Sequence, residues 1–340
     1  MPTHSRRVAP TALPFSLLAL LTITAAGEAL ASDGVIELNQ TCATQTGCFP
    51  GDGAGYPITI YDASGPRSFR LTSDLVLASA SETAIFVNVA DASIDLAGFQ
   101  ITREDCLGST TSCLVQGSSG GGIVHLGGFG NDGLSVANGS IVGMGGYGIR
   151  AFDQADVRNV RARWNSLAGI YTGDGSTVEG CEVRENGARG IEAGTGSTVQ
   201  GNTAHGNQGD GIYVAYGGVA ERNSAYFNQG DGIETGAQMT IRGNSAAANG
   251  DDGIKAGQAS TVVENTTGSN GSDGIEATSG LHRIHGNTAT FNGSYGLRLT
   301  SSDGYSDNRL GSNGTGGVNA GVNLGGNYCS GVGVAGASCP

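Results

Sequence analysis

Apolar and polar positions repeat along this chain with a period of about 21 residues, and a fixed period of this order indicates a solenoid or another repeat architecture. The clearest marker is a glycine followed by isoleucine. The pairs are Gly148-Ile149, Gly169-Ile170, Gly190-Ile191, Gly211-Ile212, Gly232-Ile233, Gly253-Ile254 and Gly274-Ile275, followed by Gly296-Leu297 and Gly317-Val318. The step to Gly296 is longer than the others by a single position, so an insertion lies between Ile275 and Ile284.

Four further columns keep this period: one aliphatic, one of small residues and two of asparagine. The aliphatic column is Val136, Val157, Val178, Val199, Ala220, Ile241, Val262 and Ile284, and the column of small residues is Ala162, Val183, Ala204, Ala225, Ala246, Thr267 and Ala289. One asparagine column is Asn202, Asn223, Asn244, Asn265, Asn287 and Asn308. The other is Asn165, Asn186, Asn207, Asn228, Asn249, Asn270, Asn292 and Asn313. Each unit therefore holds three short strand-like pieces separated by Gly, Asn or Ser, and none is long enough for a helix. Three such strands predict one coil of a parallel β-helix, with coils stacked about 4.8 Å apart and the apolar columns inside. Asparagines at the bends can stack as ladders that bond the coil above or below, and asparagine tolerates the left-handed backbone that sharp corners need.

The predicted fold is all-β, a right-handed parallel β-helix over residues 85–318 with about 21 residues and three short strands per coil. The coil is expected to be right-handed because connections between parallel strands of one sheet are almost always right-handed. Residues 85–141 fit the repeat less regularly, and residues 103–120 are predicted to leave the wall as a long excursion. Open coil ends are unpaired sheet edges. We therefore predict that residues 32–84 form an N-terminal cap and residues 319–340 a C-terminal cap.

Residues 1–31 have the pattern of a secretory signal peptide. Arg6 and Arg7 give a positive start, an apolar run follows, and an A-x-A cleavage site ends at Ala31. The apolar run is short for a transmembrane span, and no other stretch is long and apolar enough. We therefore expect an exported protein, periplasmic, extracellular or on the cell surface, with no membrane span in the mature chain.

Composition agrees with the repeat and limits the partners. Glycine accounts for 61 of 340 residues without recurring at every third position, which excludes collagen and disfavours a helical fold. Lys and Arg total 17 against 30 for Asp and Glu, which gives a formal net charge of −13. An acidic surface argues against nucleic acid as a partner. An acidic polysaccharide stays open, because bound cations or local basic patches can invert the local field.

The seven cysteines form three close pairs and one remainder. Export permits disulfides, and the predicted pairs are Cys42–Cys48, Cys106–Cys113 and, in the C-terminal cap, Cys329–Cys339. Cys181 stands one step above an asparagine column, so we predict a buried free thiol. These spacings do not resemble zinc sites.

With these columns placed, the chain resembles the right-handed parallel β-helix repeat proteins of the pectin-lyase-like superfamily. The resemblance covers about residues 85–318, and it is carried by Ile94-Asp95-Leu96-Ala97-Gly98-Phe99, Asn138-Gly139-Ser140-Ile141 and Asn207-Gln208-Gly209-Asp210-Gly211-Ile212. It implies the fold. For activity it implies several classes, namely pectate and alginate lyases, polygalacturonases, sugar epimerases and non-catalytic surface proteins, and fold alone does not choose among them.

Two polar stripes are predicted on the wall that carries the Gly-Ile pairs. Four pairs follow an aspartate, and a row of outward-facing residues stands one position after the isoleucines. The aspartates are Asp210, Asp231, Asp252 and Asp273, and the outward row is Tyr171, Glu192, Tyr213, Glu234, Lys255, Glu276 and Arg298. Three residues of extended chain separate the stripes, so we expect them to lie about 10 Å apart.

Stacked aspartates need compensation for their charge. Carboxylates about 4.8 Å apart repel one another by roughly 1 kcal/mol in water and by several-fold more when half buried. Water and salt, a bound cation such as Ca²⁺, or raised pKa values can relieve that repulsion. The sequence leaves all three open, so no cofactor is certain, and the candidate Ca²⁺ ligands are Asp210, Asp231, Asp252 and Asp273.

Lys255 is the one lysine in the chain, and it stands between Glu234 and Glu276 in the outward row. In a polysaccharide lyase a metal or basic group neutralises the uronate carboxylate, and a Lys, Arg or Tyr removes the α-proton. The candidate catalytic residues are therefore Lys255, Arg298 and Tyr213. The candidate substrate-binding residues are Glu192, Glu234, Glu276 and Tyr171. A lysine flanked by glutamates is a poor base, however, and a plain ion-pair ladder is the alternative interpretation.

A hydrolase is a further alternative. The polygalacturonase pattern has an aspartate one coil above a paired aspartate, and Asp231 followed by Asp251-Asp252 is similar to it. The Gly-His-Gly element of that family is replaced here by Ser272-Asp273-Gly274, and its Arg-Ile-Lys element is missing. Surface positions are expected for the histidines of the β-helix body, which are His205, His282 and His285.

The sequence thus favours an exported β-helix that engages polysaccharide, and a lyase-like enzyme on acidic, uronate-containing glycans is the first hypothesis. The alternative from another class is a non-catalytic secreted or surface β-helix that binds glycan or serves structurally. The regular stripes favour that alternative, because an active site usually interrupts its repeat. The sequence leaves open whether the protein is catalytic, which glycan it engages and how many chains assemble.

Overall fold

The computed structural model describes residues 34–61, 67–108, 113–114, 118–127, 132–331, 334–337 and 339. The predicted signal peptide, residues 1–31, lies outside the described residues.

The strand that begins at each Gly-Ile isoleucine belongs to a twelve-stranded parallel sheet, named here the Ile wall. Its strands are Ile58–Ile60, Ile85–Val87, Ile123–His125, Ile149–Arg150, Ile170–Thr172, Ile191–Ala193, Ile212–Val214, Ile233–Thr235, Ile254–Ala256, Ile275–Ala277, Tyr295–Arg298 and Gly316–Val318. Successive strands pair one coil apart, as Ile191 does with Ile212. The predicted parallel β-helix, with its regular coil length, is therefore confirmed.

Two further walls, named here the Val wall and the Ala wall, complete each coil. Two long strands, Ser135–Val142 and Asp156–Arg163, bend from the first of these walls into the second and belong to both. The Val wall also contains Ile36–Leu38, Ser68–Leu71, Ser93–Asp95, Thr177–Glu179, Thr198–Gln200, Val219–Glu221, Thr240–Arg242, Thr261–Val263, Arg283–His285, Gly304–Ser306 and Val322–Asn323. The Ala wall also contains Leu75–Leu77, Gln100–Arg103, Glu182–Arg184, Thr203–His205, Ser224–Tyr226, Ser245–Ala247, Thr266–Gly268, Thr288–Thr290, Arg309–Gly311 and Tyr328–Gly331.

The alternation of side chains along each short strand decides which of them are buried in the core. In Ile254–Ala256 the first and third side chains are buried and the middle one, Lys255, faces out. Because neighbouring strands are in register, the inward residues stack into continuous apolar columns, and Ile212, Ile233 and Ile254 are fully buried. Full burial of an isoleucine contributes about 1.5–3 kcal/mol, so the columns stabilise the coil and leave the outward row free for chemistry.

Both asparagine columns form the expected ladders. The side chain of Asn207 accepts the backbone N–H of Asn186 at 3.1 Å, and its amide nitrogen donates to Asn228 at 2.9 Å and to the carbonyl of Val183 at 3.3 Å. Asparagine takes the left-handed backbone at two corners of earlier coils, Asn138 (φ 61°) and Asn159 (φ 53°), but not in the ladders. The residue before each ladder asparagine takes it instead, as Phe227 (φ 56°) does before Asn228. The ladder asparagine can then turn its amide inward, toward buried backbone groups.

The glycine before each isoleucine is required by close packing. A Cβ on Gly211 would lie 2.6 Å from Nδ2 of Asn228 and 2.6 Å from the carbonyl oxygen of Gly232. Any larger side chain would force the ladder amide away from its partners. The glycine column and this asparagine column therefore depend on each other.

The wall strands extend into both segments that we predicted to be caps. Ile58–Ile60 pairs in parallel with Ile85–Val87, and Tyr328–Gly331 pairs in parallel with Arg309–Gly311. The last described strand, Val334–Ala337, runs antiparallel to Tyr328–Gly331. The chain thus begins coiling before residue 85 and continues after residue 318.

The cysteines pair as predicted, with disulfides at Cys42–Cys48, Cys106–Cys113 and Cys329–Cys339. Cys181 is a buried free thiol whose backbone N–H donates to Asn202 at 2.9 Å, so it occupies the top of that ladder. Burial raises its pKa to about 12, so the thiol stays protonated.

Helix is restricted to two short turns among the described residues, a π turn at Cys42–Thr46 and a 3-10 turn at Glu104–Cys106. Neither of these described turns has the length and apolar character needed to cross a bilayer.

Candidate functional site on the Ile wall

The predicted outward row is a physical row. Strand register places Tyr171 beside Glu192, which is beside Tyr213, and the row continues through Glu234, Lys255, Glu276 and Arg298. Each residue is the middle or outward member of a three- or four-residue strand whose neighbours point into the core. We call these residues, with the aspartates before the Gly-Ile pairs, the acidic row.

The four aspartates form a ladder of their own. Oδ1 of Asp210 accepts the backbone N–H of Asp231 at 3.0 Å, and Oδ1 of Asp231 accepts that of Asp252 at 2.8 Å. Oδ1 of Asp252 accepts the backbone N–H of Asp273 at 2.8 Å, and Oδ1 of Asp273 accepts that of Tyr295 at 2.7 Å. Backbone donors therefore offset part of the repulsion between stacked carboxylates, an explanation that the sequence analysis did not consider.

The expected separation between the two stripes, about 10 Å for three residues of extended chain, is wrong at the level of the carboxylates. One oxygen from each of Asp210, Asp231 and Glu234 lies within 4.8 Å of the other two, and we call these residues the upper carboxylate group. Asp252, Asp273 and Glu276 form a second such group, the lower carboxylate group. The chain turns at each Asp-Gly corner, so the aspartate leans back toward the row. The two stripes are consequently one site.

Arg189 organises the upper carboxylate group. Its Nε donates to Oδ2 of Asp210 at 3.0 Å and a terminal nitrogen to Glu234 at 3.1 Å, and the other lies 3.5 Å from Glu192. The guanidinium also stacks on Tyr213, 4.1 Å from the ring centroid. One cation thus joins three carboxylates from three coils and covers a predicted catalytic tyrosine.

Lys255 lies between the two carboxylate groups. Its Nζ is 3.6 Å from Glu234 and 3.8 Å from Oδ2 of Asp231, and the side chain is 38% exposed. Burial disfavours its charged form, but the carboxylates of Asp231, Glu234, Glu276 and Asp252 outweigh that effect and raise the pKa of Lys255 above its ordinary value. Lys255 is therefore an ammonium ion at neutral pH, which fits a role in charge neutralisation and not that of a base.

Arg298 closes the lower group. One of its guanidinium nitrogens lies 3.5 Å from Oδ2 of Asp273 and 3.6 Å from Glu276. Asp252 differs from the other three aspartates because it forms no ion pair among the described residues, and an oxygen of Glu276 lies within 4.8 Å of one of its own. Two neighbouring acids favour retention of a proton by one of them.

Two acids of the row titrate near neutrality. Burial raises the pKa of Asp231 to about 6, partly opposed by the bond from the Asp252 N–H and by Lys255. Burial also raises the pKa of Asp252 to about 7, and the hydrogen bond to Glu276 and the charge of Asp231 act in the same direction. Groups with pKa values near the working pH are suited to proton transfer.

The structure does not bring every predicted residue together. Tyr171 lies above the carboxylate groups and packs against Tyr147, with ring centroids 5.5 Å apart. Arg150 lies beside Tyr171 in register and over the Tyr147 ring. The sequence analysis missed Tyr147, Arg150 and the central position of Arg189. Arg150 follows Ile149 in the same repeat position as Lys255, and that signal could have found it.

The expectation that the histidines lie on the surface fails for His282. Its imidazole is fully buried, with Nδ1 2.8 Å from Asp303 and Nε2 2.8 Å from the carbonyl oxygen of Gly257. His205 and His285 are half-buried and also lie outside the acidic row. His282 instead holds the coil where the extra residue is inserted, beside the left-handed Ser279 and Leu281.

Solved structures with a similar fold share little sequence with this chain. The A-module of mannuronan C-5 epimerase AlgE6 from Azotobacter vinelandii has a TM-score of 0.56 and 16% identity, covering 85% of this chain and 88% of the module. A mutant of the periplasmic alginate epimerase AlgG has a TM-score of 0.55 and 16% identity, covering 77% of this chain and 74% of its own. At such identities the likeness concerns the fold alone.

A search of curated protein sequences finds no match. The family described as "Right handed beta helix region", in contrast, matches residues 121–236 and 193–331. These two matches overlap and together span more than half of the chain. The right-handed sense expected from the rule for parallel crossovers is thereby confirmed, and the chain belongs to the right-handed β-helix family.

Proposed function

We propose that this protein engages a polysaccharide along the acidic row and acts on its uronate residues by proton transfer at C5. The observation that carries the proposal is the position of Asp231 and Asp252, with pKa values near 6 and 7, around the ammonium ion of Lys255. The epimerases of similar fold support the substrate class, since one is described as acting at C-5 of mannuronan.

The chemistry required is removal of a proton next to a carboxylate. Asp231 is mostly ionised at neutral pH and acts as the base, while Lys255 stabilises the charge that moves onto the uronate carboxylate. Elimination then forms a C4–C5 double bond and breaks the C4–O bond, and the leaving oxygen takes a proton. Asp252, whose pKa is about 7, is a source of that proton, and Glu276 beside it is more exposed to solvent.

Other predicted residues would bind the sugar chain. Arg298 is 55% exposed and offers a second cation to a uronate carboxylate at the lower end of the row. Glu192, Glu234 and Glu276 are partly exposed acceptors for sugar hydroxyls. Tyr213 presents its hydroxyl beside Arg189, whose guanidinium covers the ring.

A calcium ion fits the lower carboxylate group better than the upper one. Ca²⁺ prefers several carboxylate oxygens, and Asp252, Asp273 and Glu276 supply three within 4.8 Å of one another. The upper group is already held by two cations, Arg189 and Lys255, and the lower group by Arg298 alone. An ion in the lower group would displace the proton that burial favours on Asp252, and it would supply positive charge for a uronate carboxylate.

A non-catalytic role is the second candidate, and the aspartate ladder favours it. Every aspartate of the row accepts a backbone N–H from the following coil, so each has a structural task that requires no substrate. A β-helix that only binds glycan would keep these residues for the same reason.

The deciding experiment is incubation with a panel of uronate polysaccharides in D₂O, with and without Ca²⁺. Ultraviolet absorbance detects the unsaturated product of elimination, and NMR detects deuterium at C5, which reports proton abstraction with or without chain cleavage. We expect one of these signals, and we expect Lys255→Gln to reduce its rate by about 100-fold or more.

Arg283→Gln is the matched control, because Arg283 is an exposed cation on the Val wall. Its rate should equal that of the wild type. Binding without either signal would leave the non-catalytic role, and release of reducing ends without unsaturation would favour the hydrolase. Absence of binding to every acidic glycan would refute the proposal.

A further inference from the structure

Arg150 lies one coil above Tyr171, at the upper end of the acidic row, and it differs from the three cations in and beside that row. Arg189, Lys255 and Arg298 are each paired with carboxylates. The guanidinium of Arg150 forms no ion pair with any carboxylate of the described residues; it lies over two aromatic rings, 5.4 Å from the centroid of Phe152 and 5.8 Å from that of Tyr147. A half-buried guanidinium held by rings keeps its hydrogen-bond donors available for an anion.

The surroundings of Arg150 form a small aromatic surface at the upper end of the acidic row. Tyr171 is its neighbour in register, and Tyr147 packs against Tyr171 at 5.5 Å between ring centroids. All three side chains are partly exposed. The next residue down the row, Glu192, lies 3.5 Å from Arg189, which offsets its charge in part; burial and the remaining charge of Glu192 raise the pKa of Tyr147.

We infer that Tyr147, Arg150 and Tyr171 form a subsite for a carboxylated sugar residue, beyond the carboxylate groups that the proposed function uses. A pyranose ring has an apolar face that packs on tyrosine, and its carboxylate is planar, so a guanidinium binds it through two parallel hydrogen bonds. This inference rests on the proposed function, because the bound residue belongs to the same chain that lies along the row.

The subsite gives the row a direction. The charge of Arg150, which has no ion-pair partner in the described part of the chain, lies at the Tyr147–Tyr171 end, and seven carboxylates with three cations lie below it. An anionic chain is therefore attracted first at Arg150, which anchors one sugar while the next residues reach Lys255. Arg150 acts here in affinity and register, and takes no part in bond making.

Isothermal titration with a uronate oligosaccharide and a neutral oligosaccharide of equal length tests the subsite. Arg150→Gln should weaken uronate binding by about tenfold or more at low salt and leave neutral binding unchanged. Arg150→Lys should restore part of the loss, and the difference should shrink as salt rises. The control is Arg163→Gln, another guanidinium stacked on a ring, 4.6 Å from the Trp164 centroid on the Ala wall.

Each outcome separates the two proposals. If the wild type binds the uronate chain and Arg150→Gln binds it equally well, the subsite is wrong and the proposed function stands. If the wild type binds no sugar at all, both fail. Equal losses in Arg150→Gln and Arg163→Gln would mean a general charge effect, which also overturns the subsite. Thermal melting of each variant verifies that it is folded.

Discussion

At the scale of the residue, the same aspartate in the same repeat position acquires different properties from its neighbours. Asp210, Asp231 and Asp273 direct their second oxygen toward Arg189, Lys255 and Arg298, respectively. Asp252 forms no ion pair among the described residues and lies beside Glu276 instead. The repeat fixes the backbone bond of each aspartate, and the irregular cations decide which aspartate is left without an ion pair.

Asp252 should make stability depend on pH. Its pKa is near 7 in the folded chain and 3.8 ordinarily, so its favourable contribution exists in acid and disappears as pH rises through about 7. Asp252→Asn keeps the acceptor oxygen for the N–H of Asp273 and cannot ionise. The variant should therefore be more stable than the wild type at pH 8, by roughly 1–3 kcal/mol, with little difference at pH 4.

Urea unfolding at both pH values measures this difference. The control is Asp174→Asn, since Asp174 is an exposed aspartate that accepts a backbone N–H from Thr195 in the same manner, at 2.7 Å. An Asp252→Asn variant that is less stable at pH 8 would show that the ionised carboxylate is the favourable form, contrary to the raised pKa assigned to Asp252.

At the scale of the element, the corner determines what a repeat can present. The columns of the sequence predicted the strands and the asparagine ladders, because period and residue type are visible there. They did not predict that Phe227 takes the left-handed turn before Asn228. They also missed the return of each aspartate toward the row. Both features depend on how the corner bends, and extended-chain geometry does not contain that bend.

Asn228→Ala should reveal how much a ladder stabilises the coil. It would remove the acceptor for the backbone N–H of Asn207 and the donor to the carbonyl of Ala204, bonds of 3.1 Å and 3.2 Å in a buried corner. Each orphaned group costs about 1–3 kcal/mol. We therefore expect a loss of roughly 2–5 kcal/mol in the free energy of unfolding, measured by urea titration.

Gln229→Ala provides the matched comparison, because Gln229 is the next residue and is exposed. Its effect should stay within about 0.5 kcal/mol. Equal effects of the two variants would mean that water replaces the ladder, and the asparagine column would then lack the structural role assigned to it.

At the scale of the whole molecule, the fold was predictable from sequence and most of the site was not. A strict period with inward Ile, Val and Ala columns suffices for stacked coils, since every coil repeats the same local solution. The pairing in the row depends instead on long side chains that cross coils, as Arg189 does in reaching Glu234, 45 residues away. Such contacts have no fixed spacing in the sequence. The wall strands in residues 32–84 were missed because they lack the Gly-Ile marker.

Because coils contact mainly their neighbours, one of them should be removable. Deleting residues 198–218 takes out one whole coil and joins Ser197 to Val219, which occupies the repeat position of Thr198. Ile191 would then stack on Ile233, Asn186 would meet Asn228, and Arg189 would lie above Asp231. In a solenoid, stability is approximately a sum over coils and their interfaces. The shortened chain should therefore fold and melt cooperatively, as followed by circular dichroism.

The control is deletion of residues 198–219, one residue more. A coil can loop out one extra residue, as it does between Ile275 and Ile284, but this deletion leaves the joined coil one residue short. Because alternation along a strand has a period of two, Ala220 would take the outward position of Thr198 and Glu221 the inward position of Val199. That variant should fail to fold or lose cooperative melting. If both deletions melt alike, coil register is not what stabilises this molecule, and the row loses the rigid support that its proposed chemistry needs.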